Sequence, residues 1–230
     1  DKDQTVYIPT IRTSAKDNVT GINHTEADKE VTITDTVTYK GLEVGREYTV
    51  SGTLMNQRTG AKILVNGKPV TASTTFTAEK KEGSVEVVFA FDASALEGTT
   101  TVVYEKLYTE NKEVAAHTDI NDKGQTIYIP KVRTTAIADD TKDHVTEAKK
   151  DVTIVDTVSY EGLEVGREYT VKGVLMNKAT GKAITVNGKE VTAESTFTAK
   201  AQKGTVDVTF KFDGSALEDI LIVVFETLYT

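Results

Sequence analysis

Hydrophobic and polar residues alternate along most of the chain with the period of two that is typical of β-strands. The segment VTITDTVTY at 31–39 is the clearest case, because threonine fills almost every position between the apolar residues. VEVVFAF at 85–91 and VDVTFKF at 206–212 follow the same rule. Asn-Gly turn signals occur at 66–67 and 187–188, and no amphipathic helix stands out. The pattern predicts an all-β fold of antiparallel, immunoglobulin-like sandwiches.

This pattern occurs twice. GLEVGREYTV begins at residue 41 and again at residue 162, which sets an offset of 121 residues. At the same offset, QTVYIP at 4–9 returns as QTIYIP at 125–130. The register predicts three pieces, and the chain is therefore expected to be part of a longer tandem array. They are the end of a preceding repeat or linker strand at 1–9, a complete sandwich repeat at 10–129, and a second repeat at 130–230 that lacks its last strand.

Composition narrows the classes of function. The formal net charge of −8 argues against a nucleic-acid partner, which would favour basic patches. The absence of cysteine excludes disulfides and thiolate metal sites, and three scattered histidines predict neither a metal site nor a cofactor. His24 and His144 are not equivalent in the repeat and are expected at the surface. No apolar run is long enough to predict membrane insertion.

Several polar residues fall on the apolar face of a predicted strand. Since side chains alternate across a strand, Asp35 shares a face with Ile33 and Val37, and Asp156 occupies the equivalent place in the second repeat. Buried carboxyl groups that lie close together cannot easily both ionise, and such pairs are often functional. A core threonine can also simply bond a carbonyl, and a core aspartate can cap a turn, so parity leaves both interpretations open. The other residues with this parity are Thr13, Thr134, Gln125, Glu105 and Glu226.

Four segments in order through the first repeat resemble the intramolecular ester-bond domains of Gram-positive bacterial surface adhesins. They are IRTSA at 11–15, ITDTVTYKGL at 33–42, VVYEKLY at 102–108 and AAHTDINDKGQT at 115–126. The resemblance implies that Thr13 in the first strand bonds covalently to Gln125 in the last strand. It further implies that Asp35 and His117 act as an acid–base pair, with Glu105 as the second carboxylate.

The second repeat matches this pattern only in part. Thr134, Asp156 and Glu226 occupy the equivalent positions, but the histidine and glutamine would follow Thr230. The sequence leaves open whether this repeat closes through further residues or through a strand from another molecule. No histidine accompanies Gln4, which argues against a bond formed by a donated Gln4.

The implied function is that of a structural stalk module in a cell-wall-anchored adhesin on the bacterial cell surface. An ester formed with release of ammonia would stabilise it against force and proteolysis, and each unit would react once, so the protein is not expected to be an enzyme. Its partners would be neighbouring repeats of the same parent protein, with a host-surface ligand bound through another domain. The alternative is a ligand-binding adhesin module that uses the sandwich for display. A hydrolase has less support, because no nucleophile-elbow motif is present.

Overall fold

The computed structural model describes residues 4–230 and divides the chain into two compact units, residues 1–130 and 131–230. Residues 1–3 of the predicted N-terminal piece therefore lie outside the described residues. Residues 5–9 form no strand, and β1 begins directly after them at Thr10. The two units are built from the same strand pattern and are described one at a time.

The first unit is a β-sandwich. One sheet has the order β1-β2-β7, and the other has the order β10-β8-β3-β6 with β9 beside β8, all antiparallel. The described strands are β1 (Thr10–Asp17), β2 (Val31–Lys40), β3 (Glu47–Asn56), β4 (Leu64–Val65), β5 (Lys68–Pro69), β6 (Thr71–Thr77), β7 (Glu82–Phe91), β8 (Thr99–Thr109), β9 (Lys112–His117) and β10 (Thr126–Ile129).

The core between these sheets follows the predicted alternation. In β2, every second side chain from Val31 to Tyr39 is buried, and the intervening threonines face outward. Ile33, Leu54, Phe89 and Leu107 are among the largest side chains that are fully buried. The predicted all-β, immunoglobulin-like sandwich is therefore confirmed.

The predicted Asn-Gly turns are also confirmed. Asn66 and Gly67 join β4 to β5 with φ angles of 52° and 76°. Positive φ at both central residues is what a two-residue hairpin requires, and Asn-Gly tolerates it best. Asn187 and Gly188 repeat the turn in the second unit, with φ angles of 51° and 75°.

The closing strand β10 is held on both edges. One edge pairs with β8, and the other lies against a short strap, residues 23–25. The Tyr128 N–H donates to Asn23 O at 2.9 Å, and the Thr25 N–H donates to Tyr128 O at 3.0 Å. Between them, His24 is buried and its ring stacks on Tyr128 with centroids 4.9 Å apart. The prediction of a surface histidine is thus wrong for His24, because the strap folds over β10, whereas His144 is exposed as expected.

The second unit repeats the sandwich up to the equivalent of β8. One sheet has the order β11-β12-β18, and in the other β13 lies between β17 and β19, with β14 paired to its end. Its described strands are β11 (Lys131–Ala138), β12 (Val152–Glu161), β13 (Glu168–Asn177), β14 (Lys182–Ala183), β15 (Thr185–Val186), β16 (Lys189–Glu190), β17 (Thr192–Thr198), β18 (Gly204–Phe212) and β19 (Ile222–Tyr229).

Candidate cross-linking site

Four of the predicted site residues meet inside the first unit. Asp35 comes from the buried face of β2, Glu105 from β8, and Gln125 from the 3₁₀ turn just before β10; all three are fully buried. Thr13 lies on β1 and is partly buried. Because β1 and β2 pair with Ala15 opposite Asp35, the alternation of the two strands directs both functional side chains toward β8 and β10.

Hydrogen bonds join these four side chains into one chain. Thr13 Oγ1 donates to Glu105 Oε2 at 3.3 Å, and Gln125 Nε2 donates to Asp35 Oδ1 at 3.2 Å. The carboxyl groups of Asp35 and Glu105 are themselves hydrogen-bonded, which requires a proton between them. Each carboxyl group therefore holds one of the two side chains that the resemblance pairs.

Burial decides the protonation of this pair. It raises the pKa of Glu105 to about 11, and the adjacent Asp35 raises it further, while the Thr13 hydroxyl opposes the shift. Burial also raises the pKa of Asp35, against the lowering effect of Glu105 and the Ser14 backbone N–H. At neutral pH we assign the shared proton to Glu105, which can donate it to Asp35 while accepting from Thr13.

The unsatisfied oxygens of the site fit this assignment. Asp35 Oδ2 and Glu105 Oε1 are buried and, among the described residues, have no hydrogen-bond donor, so a proton shared between these two atoms satisfies both. Gln125 Oε1 is likewise buried without a donor. An amide oxygen left without a donor costs free energy, and it is the atom on which negative charge would develop during attack on the amide carbon.

A glycine makes room for the aromatic ring beneath the carboxyl pair. Gly52 pairs with Glu105 across β3 and β8. A Cβ atom at Gly52 would lie 2.4 Å from Phe89 Cζ and 3.3 Å from Glu105 Oε1. The absence of a side chain thus lets Phe89 pack directly below the site, where it keeps water from the carboxyl groups.

His117 approaches the same carboxyl pair from β9, where it pairs directly opposite Glu105 of β8. Its charge would lower the pKa of Asp35, which places the two side chains close together. His117 Nε2 lies 2.6 Å from Asp122 Oδ2. A carboxylate at this distance fixes the orientation of an imidazole and stabilises its protonated form.

Asp122 is a site residue that sequence reasoning did not assign. Besides contacting His117, it accepts from the Gly124 N–H through Oδ1 at 2.7 Å and so caps the turn Lys123–Gln125. Its backbone carbonyl accepts from Thr126 Oγ1 at 2.7 Å. One residue therefore orients both the imidazole and the turn that presents Gln125. The available signal was its place in the HTDINDKGQ segment, but the spacing alone does not reveal the two contacts.

The second unit brings together Thr134, Asp156 and Glu226. Asp156 is fully buried, and Glu226 is only partly buried. Burial, followed by the hydrogen bond to Asp156, raises the pKa of Glu226 to about 8, while a hydrogen bond from Thr134 lowers it. Thr134 itself is exposed, although its parity predicts the apolar face, because no equivalent of β9 or β10 covers β11 within residues 131–230.

The structure also bears on the metal and membrane expectations. Among residues 4–230, no group of three or more histidine, aspartate or glutamate side chains is arranged to hold a metal ion. In the same range, no helix has the length and hydrophobicity needed to cross a membrane.

Comparison with solved structures finds similar folds at low identity. A bacterial adhesin from Mobiluncus mulieris containing intramolecular disulfide, isopeptide and ester bond cross-links matches in two crystal forms, each with a TM-score of 0.47 and 17% identity over 86% of this chain and 76% of that chain. A glycosyl hydrolase family 2 member from Bacteroides cellulosilyticus matches with a TM-score of 0.33 and 14% identity over 86% of this chain and 25% of that chain. No curated protein matches.

Comparison with family models is more specific. The model described as "T-Q ester bond containing domain" matches residues 9–129 and again residues 130–230. These two matches together span nearly the whole chain and confirm the resemblance drawn from the four sequence segments. The chain thus belongs to the family of T-Q ester bond containing domains, with two copies in tandem.

Proposed function

We propose that this chain is a pair of structural stalk modules from a bacterial surface adhesin, and that the first unit cross-links itself through an ester between Thr13 and Gln125. The observation that carries the proposal is the chain of hydrogen bonds from Thr13 through Glu105 and Asp35 to Gln125. It holds a hydroxyl and an amide on one shared proton in a buried site. Family membership of both units supports the same chemistry.

The reaction is an acyl transfer within one chain. Thr13 Oγ1 attacks the Gln125 Cδ atom, and the tetrahedral intermediate collapses with cleavage of the C–N bond. The products are the ester and ammonia, so the hydroxyl proton must reach the departing nitrogen. The carboxyl pair offers the route, because Glu105 Oε2 lies at the hydroxyl and Asp35 Oδ1 lies at the amide nitrogen.

His117 has a supporting role in this reaction. Held by Asp122, it can balance the negative charge that remains on the carboxyl pair and can act as a second proton donor to the leaving group. The fold supplies the rest, since both reactants are fixed at contact distance of the same two carboxyl groups and need no encounter in solution.

The product explains why this chemistry suits a stalk and not an enzyme. The ester stays in the chain, so each unit reacts once. It closes a loop from residue 13 to residue 125, and for a loop of this length the unfolded chain loses entropy worth about 4–5 kcal/mol. Force applied along the chain enters at β1 and leaves at β10, so the ester between these strands carries the load before the core does.

The proposed setting follows from this role. A chain without cysteine that must resist force and proteases outside the cell needs a different covalent staple, and an ester meets that need. We therefore place the parent protein at the bacterial cell surface, anchored to the cell wall. Its neighbours are further repeats, and a separate domain binds the host surface.

Intact mass tests the ester directly. The purified chain is expected to weigh one ammonia less than its sequence, and Thr13→Ala is expected to restore the full mass. Ser14→Ala is the matched control, because Ser14 is the exposed neighbour on β1 and should keep the deficit. Alkaline hydroxylamine should cleave an ester and spare an amide. A wild-type chain of full mass, or a Thr13→Ala variant that keeps the deficit, contradicts the proposal.

A further inference from the structure

The second unit has an open edge where the first unit has a strand. In the first unit, residues 99–102 of β8 pair with the closing strand β10. The equivalent edge of β19 has no partner strand among the described residues, since β19 pairs only with β13. An apolar groove of about 580 Å³ runs beside this edge. It is lined by Ala136, Ile154, Leu217, Ile220, Ile222 and Val224, among others.

The chain also carries a strand sequence that matches this place. Residues 4–9 read QTVYIP and residues 125–130 read QTIYIP, so five of six positions are identical. Val6 and Ile8 are 84% and 82% exposed, whereas their equivalents Ile127 and Ile129 are fully buried. Two large apolar side chains that close a sandwich at one site are thus left in water at the other, at a free-energy cost.

We propose that residues 4–9 of one copy of this chain add as a closing strand beside β19 of a second copy. The pairing of β10 with β8 sets the register, because the equivalent positions place Val6 opposite Ile222 and Ile8 opposite Ile220. Strand addition of this kind satisfies the backbone groups of an open edge and fills its groove with alternate side chains.

The connection to the rest of the inserting copy needs no new geometry. In this chain, β10 passes through Pro130 straight into the next first strand, β11. Residues 4–9 likewise pass through Pro9 into β1. A copy that inserts its N-terminal segment can therefore continue into its own first unit as residues 125–138 already do. The contact joins different surfaces, so it is heterologous and extends into linear head-to-tail assemblies.

The association is expected to be non-covalent. Thr134, Asp156 and Glu226 would meet the inserted Gln4, but the segment brings no equivalent of His117, which supplies a charge beside the carboxyl pair in the first unit. Assembly therefore depends on strand pairing and apolar burial alone, and it is independent of the ester in the first unit.

Sedimentation velocity over a range of concentrations tests the proposal. The wild-type chain is expected to rise above its monomer mass of 25.0 kDa as concentration increases. The double variant Val6→Lys/Ile8→Lys should weaken association at least about tenfold, because both charges would be buried in the groove. Val19→Lys is the control, since Val19 is 89% exposed outside the segment, and it should associate as the wild type does.

Other outcomes separate this inference from its competitors. A wild type that stays monomeric overturns it, and so does a double variant that associates as strongly as the wild type, which would indicate direct pairing of two β19 edges. Assemblies that persist in SDS overturn its non-covalent form. Thr13→Ala should associate like the wild type, so failure of the ester proposal and failure of this one are distinguishable.

Discussion

At the scale of single residues, the function depends on polar groups placed where water cannot reach them. Asp35, Glu105 and Gln125 are fully buried, and burial without pairing would destabilise the fold. The cost is limited because Asp35 and Glu105 share a proton and each accepts one hydrogen bond from a reactant. The arrangement that makes these residues tolerable in a core is also the one that can move a proton from a hydroxyl to an amide.

The Glu105→Gln variant separates proton transfer from packing. Glutamine has the same shape and can still accept from Thr13, but it cannot take up and release a proton at two oxygens. We expect the variant to fold and to keep its full mass, with no loss of ammonia over days. Glu113→Gln is the control, because Glu113 pairs with Lys106 at the surface. A Glu105→Gln chain that cross-links at the wild-type rate would show that the relay is not needed.

The second unit is expected to lose stability as pH rises. Glu226 has a pKa of about 8 in the folded unit, above its ordinary value of 4.5, so folding favours the protonated form. Its contribution is complete below about pH 4.5 and is lost as pH rises through 8. Because the side chain is partly exposed, solvent reduces the effect to about 1 kcal/mol, or a fall of about 5 °C in Tm.

Differential scanning calorimetry between pH 5 and pH 9 measures this effect. The transition of the second unit should move to lower temperature across the range, and Glu226→Gln should flatten that dependence. Glu218→Gln, in a loop of the same unit, is the control and should leave the slope unchanged. A Tm that rises with pH would place the proton on the wrong side of the equilibrium.

At the scale of elements, the strap and the 3₁₀ turn decide where Gln125 lies. The strap, residues 23–25, grips β10 on the edge that β8 leaves open, and the Asp122 cap sets the turn that precedes it. Since Gln125 is the last residue of that turn, both elements act on its position without contacting the reacting atoms. They are positioning elements for the cross-link.

His24→Ala tests the strap. Loss of the stacked ring should lower the free energy of unfolding of the first unit by about 1–2 kcal/mol, measured in the Thr13→Ala background that cannot cross-link. With Thr13 present, freshly purified His24→Ala should show a larger share of unreacted mass that declines over time. His144→Ala removes an exposed histidine and should change neither quantity. Equal rates for His24→Ala and wild type would show that the strap does not position Gln125.

At the scale of the whole molecule, the two units share a sequence pattern but not the same degree of closure. The first unit has a closing strand, a strap and a complete set of site residues; the second ends, in this chain, at β19 with its carboxyl pair partly exposed. Stability should therefore be unequal, with the cross-linked unit far more resistant to heat and proteolysis than its neighbour.

Calorimetry and limited proteolysis check this inequality. We expect two thermal transitions, and Thr13→Ala should lower only the upper one, by about 10–20 °C, because it removes a staple worth about 4–5 kcal/mol. Thr134→Ala is the matched control in the second unit and should leave both transitions in place. Protease should degrade the second unit first and leave a fragment ending near Pro130. Transitions that merge in the wild type would contradict the proposal.

The sequence by itself determined the all-β fold, the 121-residue repeat, the Asn-Gly hairpins and the buried face that carries Asp35. These follow from local rules, because strand alternation and turn conformation depend on a few neighbouring residues. Family membership was also within its reach, since the four segments occur in order along the chain.

Only the tertiary structure decided the rest. Asp35 and Gln125 are 90 positions apart, and their contact exists because two sheets close on each other. The same closure joined Asp122 to His117, buried His24 beneath the strap, and left Thr134 exposed where no strand covers it. Parity assigns a side chain to a face of its strand, but whether that face becomes dry, shared or open depends on which other strands lie against it.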